Sequence, residues 1–196
     1  QTPLLNLYQA KATDSALVRF QRSKRFQEGL ETRFHEGPIA VSPDGKALYM
    51  TRSHPIRKQP SGLVQILRAE WQDGRWGEAI PVAFPGLETA SVGYPAISHD
   101  GNTLYFAAKT DPIFGNWDLY QMPIGKEGGQ PESLGPEVNT LGNETMPFIL
   151  PDGTLYFSSD GLPGYGGMDL FRTVKIEGRW QRPVNLPRPL NSSFDD

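Results

Sequence analysis

The chain has 196 residues, 37 % of them apolar and 21 % charged, with a formal net charge of −3 and a pI near 5.7. That balance excludes a disordered polymer, which lacks apolar residues for a core, and a general nucleic-acid binder, which needs a basic surface. The lack of Cys rules out disulfides, thiolate metal sites and a Cys nucleophile, and no apolar run is long enough for a membrane-spanning helix.

Gly (21) and Pro (18) are abundant, as many tight turns between short strands require. The chain opens at Gln1 with no Met, charged n-region or apolar signal segment, so we expect a processed start or an excerpt. Asn6-Leu7-Tyr8-Gln9-Ala10-Lys11 resembles two later runs, around Leu119-Tyr120-Gln121 and Leu170-Phe171-Arg172. Phe20 to Arg33 is the one polar stretch with room for a helical turn.

From there a repeat takes over. Ser42-Pro43-Asp44-Gly45 leads to Leu48-Tyr49-Met50, Ser98-His99-Asp100-Gly101 to Leu104-Tyr105-Phe106, and Pro151-Asp152-Gly153 to Leu155-Tyr156-Phe157. The turn glycines are 56 and 52 residues apart, so one supersecondary unit is used several times. Each unit has four predicted strands. The first is an apolar run (Ile39-Ala40-Val41, Pro95-Ala96-Ile97, Pro147-Phe148-Ile149) ending in an Asp-Gly hairpin turn, where Gly takes the positive φ the turn needs. The second is the Leu-Tyr-Met/Phe run, rich in strand-forming residues. The third follows a Gly/Pro loop: Val64 to Arg68, Trp117 to Gln121, and Met168 to Arg172. The fourth is weaker, clearest where Gly74-Arg75-Trp76 leads to Ile80-Pro81-Val82 and Gly178-Arg179-Trp180 to Pro183-Val184-Asn185-Leu186. Pro38 lies seven residues before its turn Gly, whereas Pro95 and Pro147 lie six before theirs, which leaves the register of the first unit's opening strand undetermined.

Read in this way, residues 1–35 hold the last two strands of an incomplete unit plus a linker; 36–91, 92–142 and 143–190 are full units; 191–196 begin a linker to a next one. Four-stranded units opened by a hairpin are blades, and the predicted fold is all-β: a β-propeller fragment of antiparallel four-stranded blades, three complete and one half. A β-sandwich is the alternative, but it does not predict this repeated order. Such a piece leaves an apolar blade face and unpaired strand edges at each end, so we expect further blades or another chain to cover them.

Candidate binding residues follow from this frame. The long first-unit loop carries Arg52, His54, Arg57 and Lys58, a basic cluster in an acidic protein that is either a solvated face or a contact for an acidic partner or a glycan. Phe114, Trp117 and Tyr165 are aromatics on Gly/Pro-rich loops, which are favoured anchors on a rigid scaffold. Asp160 opens the Gly-rich loop Asp160 to Gly167, whose glycines we read as permitting positive φ; the run lacks the dense Asp/Asn pattern of a calcium loop. It also lacks the Gly-Lys-Ser/Thr ending of a phosphate cradle. Asp44, Asp100 and Asp152 are turn-capping residues, and Asp118 and Asp169 begin third strands at equivalent places, a blade feature more than a glycosidase pair. His35, His54 and His99 show no metal-ligand spacing, and no Gly-x-Ser-x-Gly nucleophile elbow is present. No catalytic residue, metal site or cofactor is expected.

The motif Pro151-Asp152-Gly153…Leu155-Tyr156-Phe157, followed by Ser158 to Phe171, closely resembles the blades of TolB-like, WD-repeat-like propellers. Pro183-Val184-Asn185-Leu186…Leu190-Asn191, Phe34-His35-Glu36-Gly37-Pro38 and Ser91-Val92-Gly93-Tyr94-Pro95 resemble a subset of them. In that subset the propeller belongs to OmpA-family, peptidoglycan-associated envelope proteins of Gram-negative bacteria, the PorE-like component of type IX secretion among them. The resemblance spans about residues 34–196. It implies a periplasmic, non-enzymatic docking platform for envelope proteins, associated with the outer membrane or cell wall. Any peptidoglycan contact would be made through a domain outside this chain. A glycan-binding or glycan-cleaving propeller, a regulatory propeller of a larger hydrolase and a purely structural spacer remain the alternatives.

Overall fold

In the computed structural model, the structure describes residues 7–14, 16, 19–26, 30, 32, 34–54, 63–110, 116–125 and 129–196. These residues are strand, turn and loop, with no helix among them. Phe20 to Arg33 therefore departs from the helical expectation: Phe20 bridges to Ala12, and Lys24–Arg25 is a strand (β2) pairing with Tyr8–Gln9 (β1). The β-branched and aromatic content of the repeat favours sheet everywhere else.

The three hairpin signals become three sheets. The first is β3 (Glu36–Val41), β4 (Ala47–His54) and β5 (Leu63–Gln72), with β6 (Arg75–Trp76) against the far end of β5 and β7 (Ile80–Pro81) against its middle. The second is β8 (Ser91–Ile97), β9 (Thr103–Lys109), β10 (Asp118–Pro123) and β11 (Glu132–Ser133). The third is β12 (Glu144–Ile149), β13 (Leu155–Ser159) and β14 (Asp169–Thr173), closed by β17 (Val184–Asn185). Between β14 and β17 a small hairpin, β15 (Lys175–Ile176) with β16 (Arg179–Trp180), corresponds to the Trp71–Trp76 extension of the first sheet. The Gly-Arg-Trp runs are thus hairpin tips that precede the fourth strand.

One hydrogen bond recurs in every unit and sets the equivalences. Val82 donates its N–H to the Ile66 carbonyl at 2.9 Å; Leu134 to Leu119, Leu186 to Leu170 and Phe26 to Leu7 do the same at 3.0 Å. The β1–β2 pair is therefore the third and fourth strands of a unit. The turn glycines Gly45, Gly101 and Gly153 have φ of 70°, 75° and 84°, as their hairpins require.

Each opening strand carries a β-bulge. In β8 and β12 it lies opposite Phe106 and Phe157, and the residues before the prolines, Tyr94 and Met146, take φ of 56° and 53°. In β3 the bulge is Gly37-Pro38 opposite Thr51, one pair further from the turn. The displaced Pro38 marks a displaced bulge, because Pro has no N–H and sits where the ladder is already broken.

Strand alternation explains the Leu-Tyr-Phe motif. Leu104 and Phe106 face the first sheet, where they join Tyr49, Ile66, Val92 and Met122. Tyr105 and Ala107 face the third sheet and join Leu119, Leu155, Phe157, Phe171 and Trp180. Leu48 and Met50 of the first sheet face the amino-terminal pair through Leu30, Leu7 and Phe26. The Leu and Phe/Met positions pack on the preceding sheet and the Tyr position on the next. Each buried Leu or Phe contributes about 2 kcal/mol of apolar burial. The opening strands lie side by side, β3 against β8 and β8 against β12, as the inner strands of radiating blades do.

Candidate functional site

Of the predicted basic cluster, Arg52 is the member whose side chain is described. Arg52, on β4, is only 7 % exposed and donates to the Leu30 carbonyl at 2.5 Å, with Glu36 Oε1 3.7 Å from its Nε. Burial lowers the guanidinium's pKa, opposed by the Glu36 charge. It is a packing residue between the amino-terminal pair and the first sheet, a correction to the solvated-face reading. His54 ends β4 opposite Leu63, with only its backbone described, and Arg57, Lys58 and Phe114 lie outside the described residues.

Trp117 and Asp160 are brought together through Asn143, a residue that no local motif singled out. Asn143 Oδ1 accepts the Trp117 N–H at 3.3 Å, while its own N–H and Nδ2 donate to Asp160 at 2.5 and 2.9 Å. The neighbouring Glu144 N–H reaches the Trp117 carbonyl at 2.7 Å, and the Trp117 ring packs edge-on against Tyr94 at 5.4 Å. These contacts sew the second sheet to the third. Tyr165 stands apart, 52 % exposed, with the Arg188 guanidinium 5.8 Å above its ring.

The carboxylates divide by environment. Glu144 is fully buried and accepts Thr140 N–H and hydroxyl (2.9 and 2.8 Å) and the Ser159 hydroxyl (2.6 Å). The same loop recurs as Thr32 with Glu36 and as Ser192 with Asp196. Asp169 is buried and accepts the Tyr165 and Gly166 N–H groups, which folds the Gly-rich loop over it. None of that loop's glycines has positive φ; they serve close approach instead, since a Cβ on Gly164 would overlap Asp169 and one on Gly166 the Phe194 carbonyl. Asp118 is half-buried, and burial, then the negative charge of Glu144, raises its pKa. The Ser42 and Ser98 hydroxyls donate to Asp44 and Asp100 at 2.5 Å, and the Lys46, Asn102 and Thr154 N–H groups donate to Asp44, Asp100 and Asp152 at about 3 Å; these bonds hold the three carboxyls below the ordinary range. Among the described residues, no group of three His, Asp or Glu is placed to hold a metal ion.

Sequence reading missed the outer rim. Between the second and third sheets a groove of about 710 Å³ is lined by Glu132 and Glu137 on one side and Lys175, Arg179, Trp180 and Arg182 on the other. The signal available was the recurrence of Gly-Arg-Trp, but no local feature says that Trp180 crosses to the preceding sheet and meets Tyr105 at 6.2 Å.

No family model and no curated protein matches the chain. Solved structures do. A thermostable family-43 glycoside hydrolase superposes with a TM-score of 0.53 at 16 % identity, over 91 % of this chain and 67 % of that one. A puromycin hydrolase mutant superposes with 0.52 at 16 % identity, over 80 % and 22 %. A pair of prolyl endopeptidases is represented at 0.48 and 17 % identity, over 78 % and 20 %. The fold is a β-propeller. The chain spans about a fifth of the length of the prolyl endopeptidase and puromycin hydrolase chains it matches, and at such identities the likeness is one of fold alone.

Proposed function

We propose that this chain is part of a non-enzymatic β-propeller scaffold that holds protein partners in the bacterial cell envelope. One observation carries the scaffold reading. On the outward face of the third sheet one rung runs Phe148, Tyr156, Arg172, Val184; Phe148 and Val184 are 60 % and 57 % exposed, Arg172 is exposed and Tyr156 is half-buried. The register equivalents of Tyr156 in the other sheets are covered by a neighbouring sheet: Tyr49 and Tyr105 are 3 % and 8 % exposed. A face of that composition is built to lie against protein. The repeated polar residues, by contrast, are bound to backbone and hydroxyl groups within their own blades. The envelope setting is supported by the resemblance to TolB-like propellers of OmpA-family proteins.

The test is a photo-crosslinking residue at Phe148 or Val184 in the native protein in its own cells. Crosslinks to envelope proteins are expected. Crosslinks confined to the protein's own polypeptide would leave it a spacer and overturn the scaffold.

A second reading, cleavage of a glycan, is favoured by the raised pKa of Asp118 beside Glu144, the kind of perturbation a general acid shows. Hydrolysis of an oligosaccharide panel, abolished by Asp118→Asn, would establish it. The commitment of Glu144 to Thr140 and Ser159 argues against it.

A further inference from the structure

We infer that Asp73-Gly74, the tip of the β5–β6 hairpin, is a site of spontaneous covalent modification, the isomerisation of aspartate to isoaspartate. In this reaction the Gly nitrogen attacks the side-chain carboxyl carbon of the preceding Asp. A C–N bond forms, and water leaves, made from the amide proton and the carboxyl OH. Water then adds to the main-chain carbonyl of the five-membered succinimide ring and breaks its bond to the nitrogen. The main chain now runs through the side-chain carbon, and no atom is gained or lost overall. The reaction is favoured by a Gly nitrogen and an Asp carboxyl that nothing holds, and by a following residue without a Cβ to crowd the ring.

The chain has five Asp-Gly bonds, at Asp44, Asp73, Asp100, Asp152 and Asp160. In four of them the fold holds both reacting groups. Gly45, Gly101 and Gly153 donate their N–H to the carbonyls of Ser42, Ser98 and Leu150 at 2.8, 2.9 and 3.0 Å, and Gly161 donates to the Ser159 hydroxyl at 3.1 Å. The hydroxyls of Ser42 and Ser98 and the N–H groups of Lys46, Asn102 and Thr154 bond Asp44, Asp100 and Asp152 and lower their pKa values, and a carboxyl held ionised is a poor electrophile. Asp160 is held by the Asn143 N–H and Nδ2. At the fifth bond, neither the Asp73 carboxyl nor the Gly74 N–H has a hydrogen-bond partner among the described residues. Both residues are exposed, and their φ of 52° and 79° is the pattern of a two-residue hairpin turn. The ladder behind this turn is two pairs long, Trp71 with Trp76 and Gln72 with Arg75, so the tip opens without unfolding the sheet. The matching tip of the third sheet is Glu177-Gly178, with φ of 49° and 78°; there the longer side chain needs a six-membered ring, which closes more slowly.

Isomerisation adds a methylene to the main chain of a two-residue loop, which then cannot keep Trp71 opposite Trp76, whose rings meet edge-on at 5.1 Å. The inference does not depend on the scaffold reading. The experiment ages the folded 196-residue chain for several weeks at mildly acidic pH and digests it with trypsin. Isoaspartate is detected by methyl transfer from S-adenosylmethionine with an isoaspartyl methyltransferase. Label on the tryptic peptide Ala69–Arg75 is expected at about ten times the yield of any other Asp-Gly peptide, or more. In urea, where the fold no longer protects the other four bonds, the yields should come within about threefold of one another. Asp73→Glu, which copies the tip of the third sheet, should abolish label on that peptide and leave the others unchanged. Absence of label from the aged folded chain, an even spread, or a different Asp-Gly bond in the lead would overturn the inference. So would the same preference in urea, which would make it a property of local sequence, or label on the 69–75 peptide of Asp73→Glu.

Discussion

Ser159 donates its hydroxyl to Glu144 at 2.6 Å across two paired strands, and the matching rung of the first sheet holds Arg52 and Glu36, 3.7 Å apart. One buried carboxylate is stabilised by hydroxyl and N–H donors. The other accepts the Thr32 N–H and hydroxyl at Oε1 and also faces a guanidinium, while its Oε2 has no hydrogen-bond partner among the described residues.

The two rungs should respond differently to substitution. Arg52→Met removes the guanidinium that faces the buried Glu36, leaving that charge only its Thr32 donors, and should cost about 3 kcal/mol in urea unfolding. Adding Glu36→Gln should recover most of that loss. Ser159→Ala removes one of three donors to Glu144 and should cost about 1 kcal/mol.

Asn191 is fully buried and clamps its blade edge. It accepts the Leu170 N–H at 2.8 Å and donates to the Leu170 and Leu186 carbonyls at 2.9 and 3.0 Å; Asn139 treats Leu119 likewise. Asn191→Leu should lower stability by about 3 kcal/mol. Asn191→Asp keeps the acceptor but sets a carboxylate against two carbonyls, so it should be least stable at neutral pH and improve on acidification. Thermal melts at pH 4 and pH 7 would show the crossover.

Asp118 and the turn aspartates act on stability with opposite signs. The Asp118 carboxyl is raised, so the folded state holds its proton more tightly and its contribution falls as pH rises through the raised value. Asp118→Asn should therefore raise the melting temperature at pH 7 and have no effect in acid. Asp44, Asp100 and Asp152 are lowered, so what they contribute is present above the ordinary carboxylate range and is lost as pH falls through their folded values. The triple Asp→Asn variant should have a shallower acid limb in a stability–pH profile.

Gly166→Ala should release the segment around Phe194, because the added methyl overlaps that residue's carbonyl oxygen. Faster amide exchange at Asp196, whose N–H donates to the Met168 carbonyl at 2.8 Å, would report it. Gly77→Ala, with its closest neighbour at 3.4 Å, is the control and should be near neutral. Equal exchange in the two variants would show that the Gly-rich loop does not need its close approach.

Much of the architecture was legible because it is encoded locally. Asp-Gly sets a hairpin and alternation assigns each side chain a face, whereas the displaced Pro38 left its strand's register open until the pairing placed the bulge one pair further from the turn. What escaped depends on neighbours remote in sequence. Arg52 reads as a surface cation until Leu30 and Glu36 enclose it. The glycines of the 160–167 loop read as turn formers until Asp169 and Phe194 press against them. Asn143 reads as linker until it joins Trp117 to Asp160.

From the amino acids alone come the strands, their order within a unit and the inward side of each, since these follow from backbone preference and a two-residue period. The packing of one sheet on the next decided which charges are enclosed, where the Trp180 indole N–H is buried and which face stays open. Those outcomes arise from contacts between units some fifty residues apart, which no local pattern records.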